Sequence, residues 1–230
     1  MKFMKRELIE GAKEAEGLTI IIDVFRAFSL EAYMFAAGVR QTHPIGSMEA
    51  AFALKKQHPD WILFGERGGA KVSGCDYGNS PCEMEGADLL GKTVIHSTSA
   101  GTQGIVNAVN ADEIITGSLV NADAIAAYIR RRDPDIVTAV AMGKAGLEPA
   151  DEDRICAEYI ESKVLGKPFD MEQARKRLRA AGAHFFDPAL PQYQEPDYEL
   201  CTKFGRFPFV IGVKKTGDLY TGTIVYGTRP

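Results

Sequence analysis

A chain of 230 residues, 45% hydrophobic and 25% charged, has the make-up of an ordinary globular protein and is long enough for one large α/β domain or two small ones. A formal net charge of −4, with no Lys/Arg cluster interleaved with aromatics, argues against a broad nucleic-acid-binding face. No apolar run approaches the roughly 20 residues that cross a bilayer, and the charged start MKFMKRELIEGAKEAEG lacks the apolar centre of a signal peptide, so the cytoplasm is the expected compartment.

Along the chain, LTIIIDVF (18–25) is a near-continuous apolar run, the pattern of a strand covered on both faces. A helix is expected over 29–37, with Ser29 as N-cap and Gly38 just past its end. VRQTHPIG reads as a weaker strand, and SMEAAFALKKQH as an amphipathic helix capped by Ser47 and closed before Pro59. WILF is a third strand, feeding the long loop GERGGAKVSGCDYGNSPCE (65–83). KTVIHSTS is a strand that runs into a Gly-bearing turn and a helix, AGTQGIVNAVN. DEIITGS, the helix NADAIAAYIRRR with its three terminal arginines, and the strand DIVTAVAMG complete the alternation.

Alternation of this kind predicts an α/β protein, a three-layer α/β/α arrangement around a mainly parallel mixed sheet. Right-handed crossovers then place the carboxyl ends of the strands on one edge, where ligands bind in such sheets. The last 80 residues differ. Two helices, DEDRICAEYIESKVLG and MEQARKRLRAAG, precede the Pro-rich FFDPALPQYQEPDYE, and FPFVIGVKKTGDLYTGTIVYG reads as two strands joined by a turn. The whole chain, 1–230, is read as a single unit: 1–145 carries the site, and 146–230 packs on it.

The rim collects the chemistry. Asp23 and Arg26 follow the first strand; Glu66 and Arg67 follow the third, with Asp76, Asn79, Ser80 and Glu83 after them. Thr98, Ser99, Gly101 and Thr102 follow the next, and Ser118 and Asn121 the one after. A Gly-rich turn entering a helix offers backbone N–H groups to an anion, and two arginines suit phosphate or carboxylate. Asp23, Glu66, Asp76 and Glu83 are hard oxygen donors of the kind Mg²⁺ prefers beside a substrate phosphate. Carboxylates crowded next to an anion call for a cation between them, so the set points to metal plus a phosphorylated small molecule. Other roles suit single residues: Asp23 as a helix cap, Glu66–Arg67 as a surface pair, Asp76 and Asn79 as turn formers. Cys75 and Cys82 lack the Cys-x5-Arg loop of a thiol phosphatase, because the sixth positions on hold Pro81 and Asp88. No CxxC pair or His spacing suggests zinc, and His96 sits on a strand before the rim, in a core or outer-shell position.

IIIDVFRAFS, GERGGAKVSGCDYGNSP, TSAGT and GSLVN, in this order and at these spacings, resemble the 2-phosphosulfolactate phosphatase family of coenzyme M biosynthesis. The likeness runs on through EDRICAEYI and CTKFGRFPFV. It implies that family's own α/β/α-type fold and a Mg²⁺-dependent acid phosphatase, acting on a three-carbon carboxylate that bears a sulfonate and a phosphate ester. Carried over by position, Asp23 and Glu66 are metal or acid/base candidates, with Asp76 a third ligand. Arg26, Arg67, Asn79, Ser80 and the turn from Thr98 to Thr102 become candidates for the phosphate, carboxylate or sulfonate. Three positions depart from the family pattern: Ala100 stands where Asn is usual, and Cys75 and Tyr77 where Phe and Leu are. These leave open another phosphorylated hydroxy acid as substrate, or a non-catalytic sensor of a phospho-ligand on the same scaffold. A homodimer would be unsurprising for a chain of this kind.

Overall fold

Ile20, Ile21 and Ile22 are fully buried, and the strand they build, β2 (Gly17–Ile22), has no exposed position. Branched side chains on both faces of the pleat need cover on both sides, and they have it. Ile20 and Ile22 join one apolar cluster while Ile21 joins another on the opposite face. The computed structural model describes residues 1–84 and 86–227 of the chain.

Around β2 lie nine further strands: β1 (Lys2–Glu7), β3 (Gln41–Pro44), β4 (Ile62–Arg67), β5 (Ala70–Lys71), β6 (Thr93–Ser97), β7 (Ala111–Gly117), β8 (Ile136–Ala141), β9 (Phe209–Thr216) and β10 (Leu219–Gly227). They form one mixed sheet in the order β1-β8-β2-β7-β9-β10-β3-β6-β4-β5. The pairs among β1, β8, β2 and β7, and among β3, β6 and β4, are parallel. The helices are α1 (Leu8–Lys13), α2 (Ala27–Ala36), α3 (Met48–Gln57), α4 (Gly101–Asn107), α5 (Ala122–Arg132), α6 (Asp151–Leu165), α7 (Met171–Ala181) and α8 (Glu195–Cys201). In the first half of the sheet α1 and α4 pack on the face of Ile21, and α5 and α6 on the other. In the second half α2 and α3 take opposite faces. The layering is the three-layer α/β/α arrangement expected from the alternation.

Two local expectations change. Helix α2 begins at Ala27, two residues early, because Asp23 receives the Ala27 N–H at 3.0 Å and the hydroxyl of Ser29 instead donates to the Val24 carbonyl at 2.8 Å. The charged start of the chain, given no element from its pattern, is the edge strand β1 and helix α1. Ser47 does cap α3, accepting from Ala50 N at 3.1 Å.

The C-terminal hairpin lies inside the sheet. Strand β9 runs antiparallel to β7 through Ile114–Thr116, and β10 meets β3 at Gly222 and Thr42. Glu31 of α2 fastens this junction: its carboxylate is fully buried and accepts from Thr42 Oγ1 and Thr116 Oγ1, each at 2.7 Å. Those hydroxyls belong to the strands on either side of the hairpin. Burial pushes the Glu31 carboxyl up, and the two hydroxyl donors act against it. Because β9 and β10 join two parallel halves, truncation after Pro208 is expected to abolish cooperative urea unfolding and near-UV circular dichroism together. A truncated chain that still unfolds in one sharp transition would show that the halves do not need the hairpin.

Candidate active site

Asp23 stands one residue beyond β2, where its N–H still pairs with Gly117 O of β7 at 3.1 Å. Its side chain is 6% exposed, so its solvation comes from the protein. Oδ1 accepts from Ala27 N of α2 at 3.0 Å, and Oδ2 from Gly101 N of α4 at 2.8 Å. Two helix starts thus point at one carboxylate. Position 101 must be glycine for this approach: a Cβ there would lie 2.9 Å from the Phe28 ring and 3.0 Å from Asp23 Oδ2.

Glu66, near the end of β4, is buried in the same way. Oε1 accepts from Ser99 N at 2.6 Å and Oε2 from Gly69 N at 2.8 Å. The turn after β6 therefore gives Ser99 N–H to Glu66 and Gly101 N–H to Asp23, drawing both acids onto one stretch of backbone. Thr98 and Thr102 close the turn on itself, each hydroxyl accepting from the other's N–H at 3.2 Å. The amides expected to face a bound anion are, in this arrangement, engaged by carboxylates.

The acids bear on one another. Burial first, and then the charge of Glu66 and of Glu152, raise Asp23 from 3.8 to about 7 against the pull of its two amides. Glu152, in the first turn of α6, is also raised by burial to about 7. Its neighbour Asp153, buried, accepts from Val24 N and from Gly143 N, both at 2.8 Å, and burial pushes it well above its ordinary range. Asp153 thereby ties the residue after Asp23 to the turn after β8.

The two arginines have different surroundings. Arg26 is 2% exposed and its Nη1 pairs with the fully buried Asp197 of α8 at 2.7 Å, while Nη2 donates to Gly69 O at 2.7 Å. Tyr193 and Phe185 lie over the guanidinium, with ring centroids 5.2 and 6.0 Å away. Asp197 also accepts from Ser80 Oγ at 2.9 Å and Cys82 N at 3.0 Å. Arg26 is thus a buried brace joining α2, the 65–83 loop and α8, not an open grip for an anion. Arg67 donates only to neutral acceptors, Glu66 O, Ser97 O, Ser97 Oγ and Gly46 O. Among the described residues no carboxylate pairs with it, so its charge is available.

Of the remaining candidates, Asp76 does not join Asp23 and Glu66. It accepts from Leu63 N at 2.8 Å and pairs with Lys55 at 3.0 Å, which holds it about 10 Å back along β4 from Glu66. Ser118 and Asn121 form a closed turn, the Ser118 N–H donating to Asn121 Oδ1 at 3.0 Å, and both are buried. Ser99 stays at the rim, its hydroxyl accepting from Gly68 N at 3.4 Å. Asn79 is buried, with an amide oxygen that has no partner among the described residues. Burial pushes the thiols of Cys75 and Cys82 up and the His96 ring down to about 4, which leaves all three neutral near neutral pH. Glu83 is exposed within a 3-10 turn, Pro81–Met84.

Sequence reasoning passed over Asp153, Glu152 and Asp197. The first two stand in the segment EDRICAEYI, at the head of a helix where acids are ordinary. Asp197 follows a proline at a helix start and carries no local mark of burial. Among the described residues, no group of three or more His, Cys, Asp or Glu is placed to hold a metal ion. The Asp23–Glu66 pair still fits a hard divalent cation that keeps water and substrate oxygens as its other ligands. Each carboxylate oxygen accepts one amide and retains acceptor capacity.

The chain matches the family model described as 2-phosphosulpholactate phosphatase over residues 3–187. A protein of Bacillus subtilis named probable 2-phosphosulfolactate phosphatase is 32% identical over 89% of this chain and 90% of its own length. One of Carboxydothermus hydrogenoformans with the same name is 44% identical over 56% of this chain and 53% of its own. Another, of Thermoplasma volcanium, is 29% identical over 85% and 90%.

Two outcomes follow from the site's electrostatics. Asp23 and Glu152 bind protons more tightly folded than unfolded, so their stabilising contribution is full below about pH 4 and is lost as pH rises through about 7. Metal-free protein should therefore lose several kcal/mol across that window by urea denaturation, about 4 from Asp23 and about 3 from Glu152 taken singly. A flat profile would mean that the two acids are ionised without cost. Separately, Asp197→Ala strands the Arg26 charge in the interior and should cost about 3–5 kcal/mol. A loss below about 1 kcal/mol would show that water replaces the pair.

Proposed function

The chain belongs to the 2-phosphosulpholactate phosphatase family, and from that premise we propose that it hydrolyses the phosphate monoester of 2-phosphosulfolactate to sulfolactate and inorganic phosphate. The reading is supported above all by Asp23 and Glu66, two buried carboxylates drawn by the Ser99–Gly101 backbone to the carboxyl ends of parallel strands in the mixed sheet. A water-poor rim with two acids is a poor place for a phosphate ester unless a cation lies between them. Asp23 and Glu66 would hold Mg²⁺ there, and the bound ion would supply charge stabilisation to the phosphoryl oxygens.

The protein's own groups do the rest. Arg67, held by four neutral acceptors, offers a guanidinium whose charge no carboxylate offsets, suited to the equatorial oxygens of the transferring phosphoryl group. The Asp23 carboxylate is fixed by two amides and Glu66 by two more, so neither has to reorganise as charge develops. Arg26 keeps the Gly69 carbonyl, and with it the Glu66 end of the turn, in place through its pair with Asp197.

The test is release of inorganic phosphate from a panel of phosphorylated hydroxy acids that includes 2-phosphosulfolactate, with Mg²⁺ or with EDTA. Release only with the metal, and fastest from 2-phosphosulfolactate, is the expected result. Asp23→Asn and Glu66→Gln should each lower turnover by about 100-fold or more under saturating Mg²⁺. Wild-type turnover in both variants would remove these residues from the metal site.

A further inference from the structure

Lys144 follows the end of β8 by three residues, and β8 lies beside β2 with Ala141 opposite Ile22. Met142 N continues that pairing to Ile22 O at 3.0 Å. Asp153 accepts from both Gly143 N and Val24 N, so the backbone just before Lys144 and just after Asp23 is held by one carboxylate. The turn that carries Lys144 is closed on itself: Lys144 N donates to Glu148 O at 2.8 Å, and Leu147 N and Glu148 N return to Lys144 O at 3.0 and 3.1 Å. Three of its residues, Gly143, Ala145 and Gly146, have φ of +65°, +53° and +73°, and Gly146 packs against Ile9. The backbone that carries Lys144 is therefore fixed at the carboxyl edge, on the Asp23 side of the rim.

The far end of that side chain is exposed and is in none of the ion pairs among the described residues. Asp153 spends its two oxygens on the Val24 and Gly143 amides, and the Lys144 charge bears on His184, whose ring also feels Arg26. His184 in turn packs edge-on against Tyr193, the residue that covers Arg26. The rim thus has two sides: Glu66 and Arg67 at the end of β4 on one, and the turn of Lys144, after β8 and beside Asp23, on the other. Arg26 on this second side is neutralised by Asp197. Lys144 is an exposed cation there that has no ion pair among the described residues.

A phosphate ester that also bears a carboxylate and a sulfonate needs positive charge away from its phosphoryl centre. Resting on the phosphatase reading above, we propose that Lys144 is a specificity-determining residue whose ammonium takes the sulfonate of the substrate. A contact to a group remote from the reacting bond is made alike in ground and transition states, so it sets KM and leaves kcat almost untouched.

Two measurements on Lys144→Met test this. In calorimetric titrations with 3-sulfolactate and with lactate, wild-type protein should bind sulfolactate more tightly. The variant should lose about tenfold for sulfolactate, with no change for lactate. In steady-state assays the variant should raise KM about tenfold for 2-phosphosulfolactate at a kcat within about twofold, with KM for 2-phospholactate unchanged. Lys144→Arg should keep most of the wild-type behaviour, and the urea midpoint of Lys144→Met should match wild type because no ion pair is removed. Equal losses for both ligands, no loss for either, or a wild-type protein that does not prefer sulfolactate to lactate would overturn the proposal. Absence of turnover in the wild type would defeat the phosphatase reading alone, since the titrations decide the role of Lys144 without turnover.

Discussion

Two buried carboxylates held on one backbone turn repel each other, and much of the surrounding structure answers that repulsion. Asp23 and Glu66 receive four amides between them, from the starts of α2 and α4 and from the turns after β4 and β6. Asp153 braces the chain directly after Asp23. These bonds stabilise the charged forms, but they do not cancel burial, and Asp23 stays raised to about 7. Burial therefore leaves Asp23 far easier to protonate than an exposed carboxyl, even with both of its amides in place.

The position of the C-terminal hairpin gives the site its second wall. Strands β2, β7 and β8 lie on one side of it, and β3, β4 and β6 on the other. Asp23 comes from the first group and Glu66 from the second, so the two acids are fixed across the seam that β9 and β10 fill. Glu31, accepting from Thr42 and Thr116, secures that seam from the face of α2. The helix whose first amide Asp23 accepts is thus the one that clamps the two halves together. Local geometry at the acids and global assembly of the sheet share one element.

The segment between α7 and β9 supplies what the rim lacks. Asp197 reaches Arg26 across 171 positions of sequence, and Tyr193 stands over the same guanidinium. The pair converts Arg26 from a free cation into a brace, while Arg67 and Lys144 have no carboxylate partner among the described residues. That division follows from pairing energetics: a buried guanidinium without a carboxylate is costly, whereas an exposed ammonium is not.

Much was legible in the sequence. The near-continuous, Ile-rich apolar run of β2 and the regular alternation with helices pointed to a mainly parallel sheet, because a strand buried on both faces has no polar face to show. The rule that such strands end on one edge then placed Asp23, Glu66 and the 98–102 turn on a common rim. Allocation of hydrogen bonds was not legible. Asp76 and Glu66 look alike in one loop, yet Asp76 turns back to Leu63 N and Lys55. Ser118 and Asn121 satisfy each other, and the amides of the 98–102 turn go to acids from two other strands. Composition and periodicity act over a few residues, so the sequence by itself determined the elements and the edge on which the chemistry collects. Which donor met which acceptor, and which cation stayed free, was decided only by strand order and by partners more than a hundred residues away, where burial makes every unpaired charge costly.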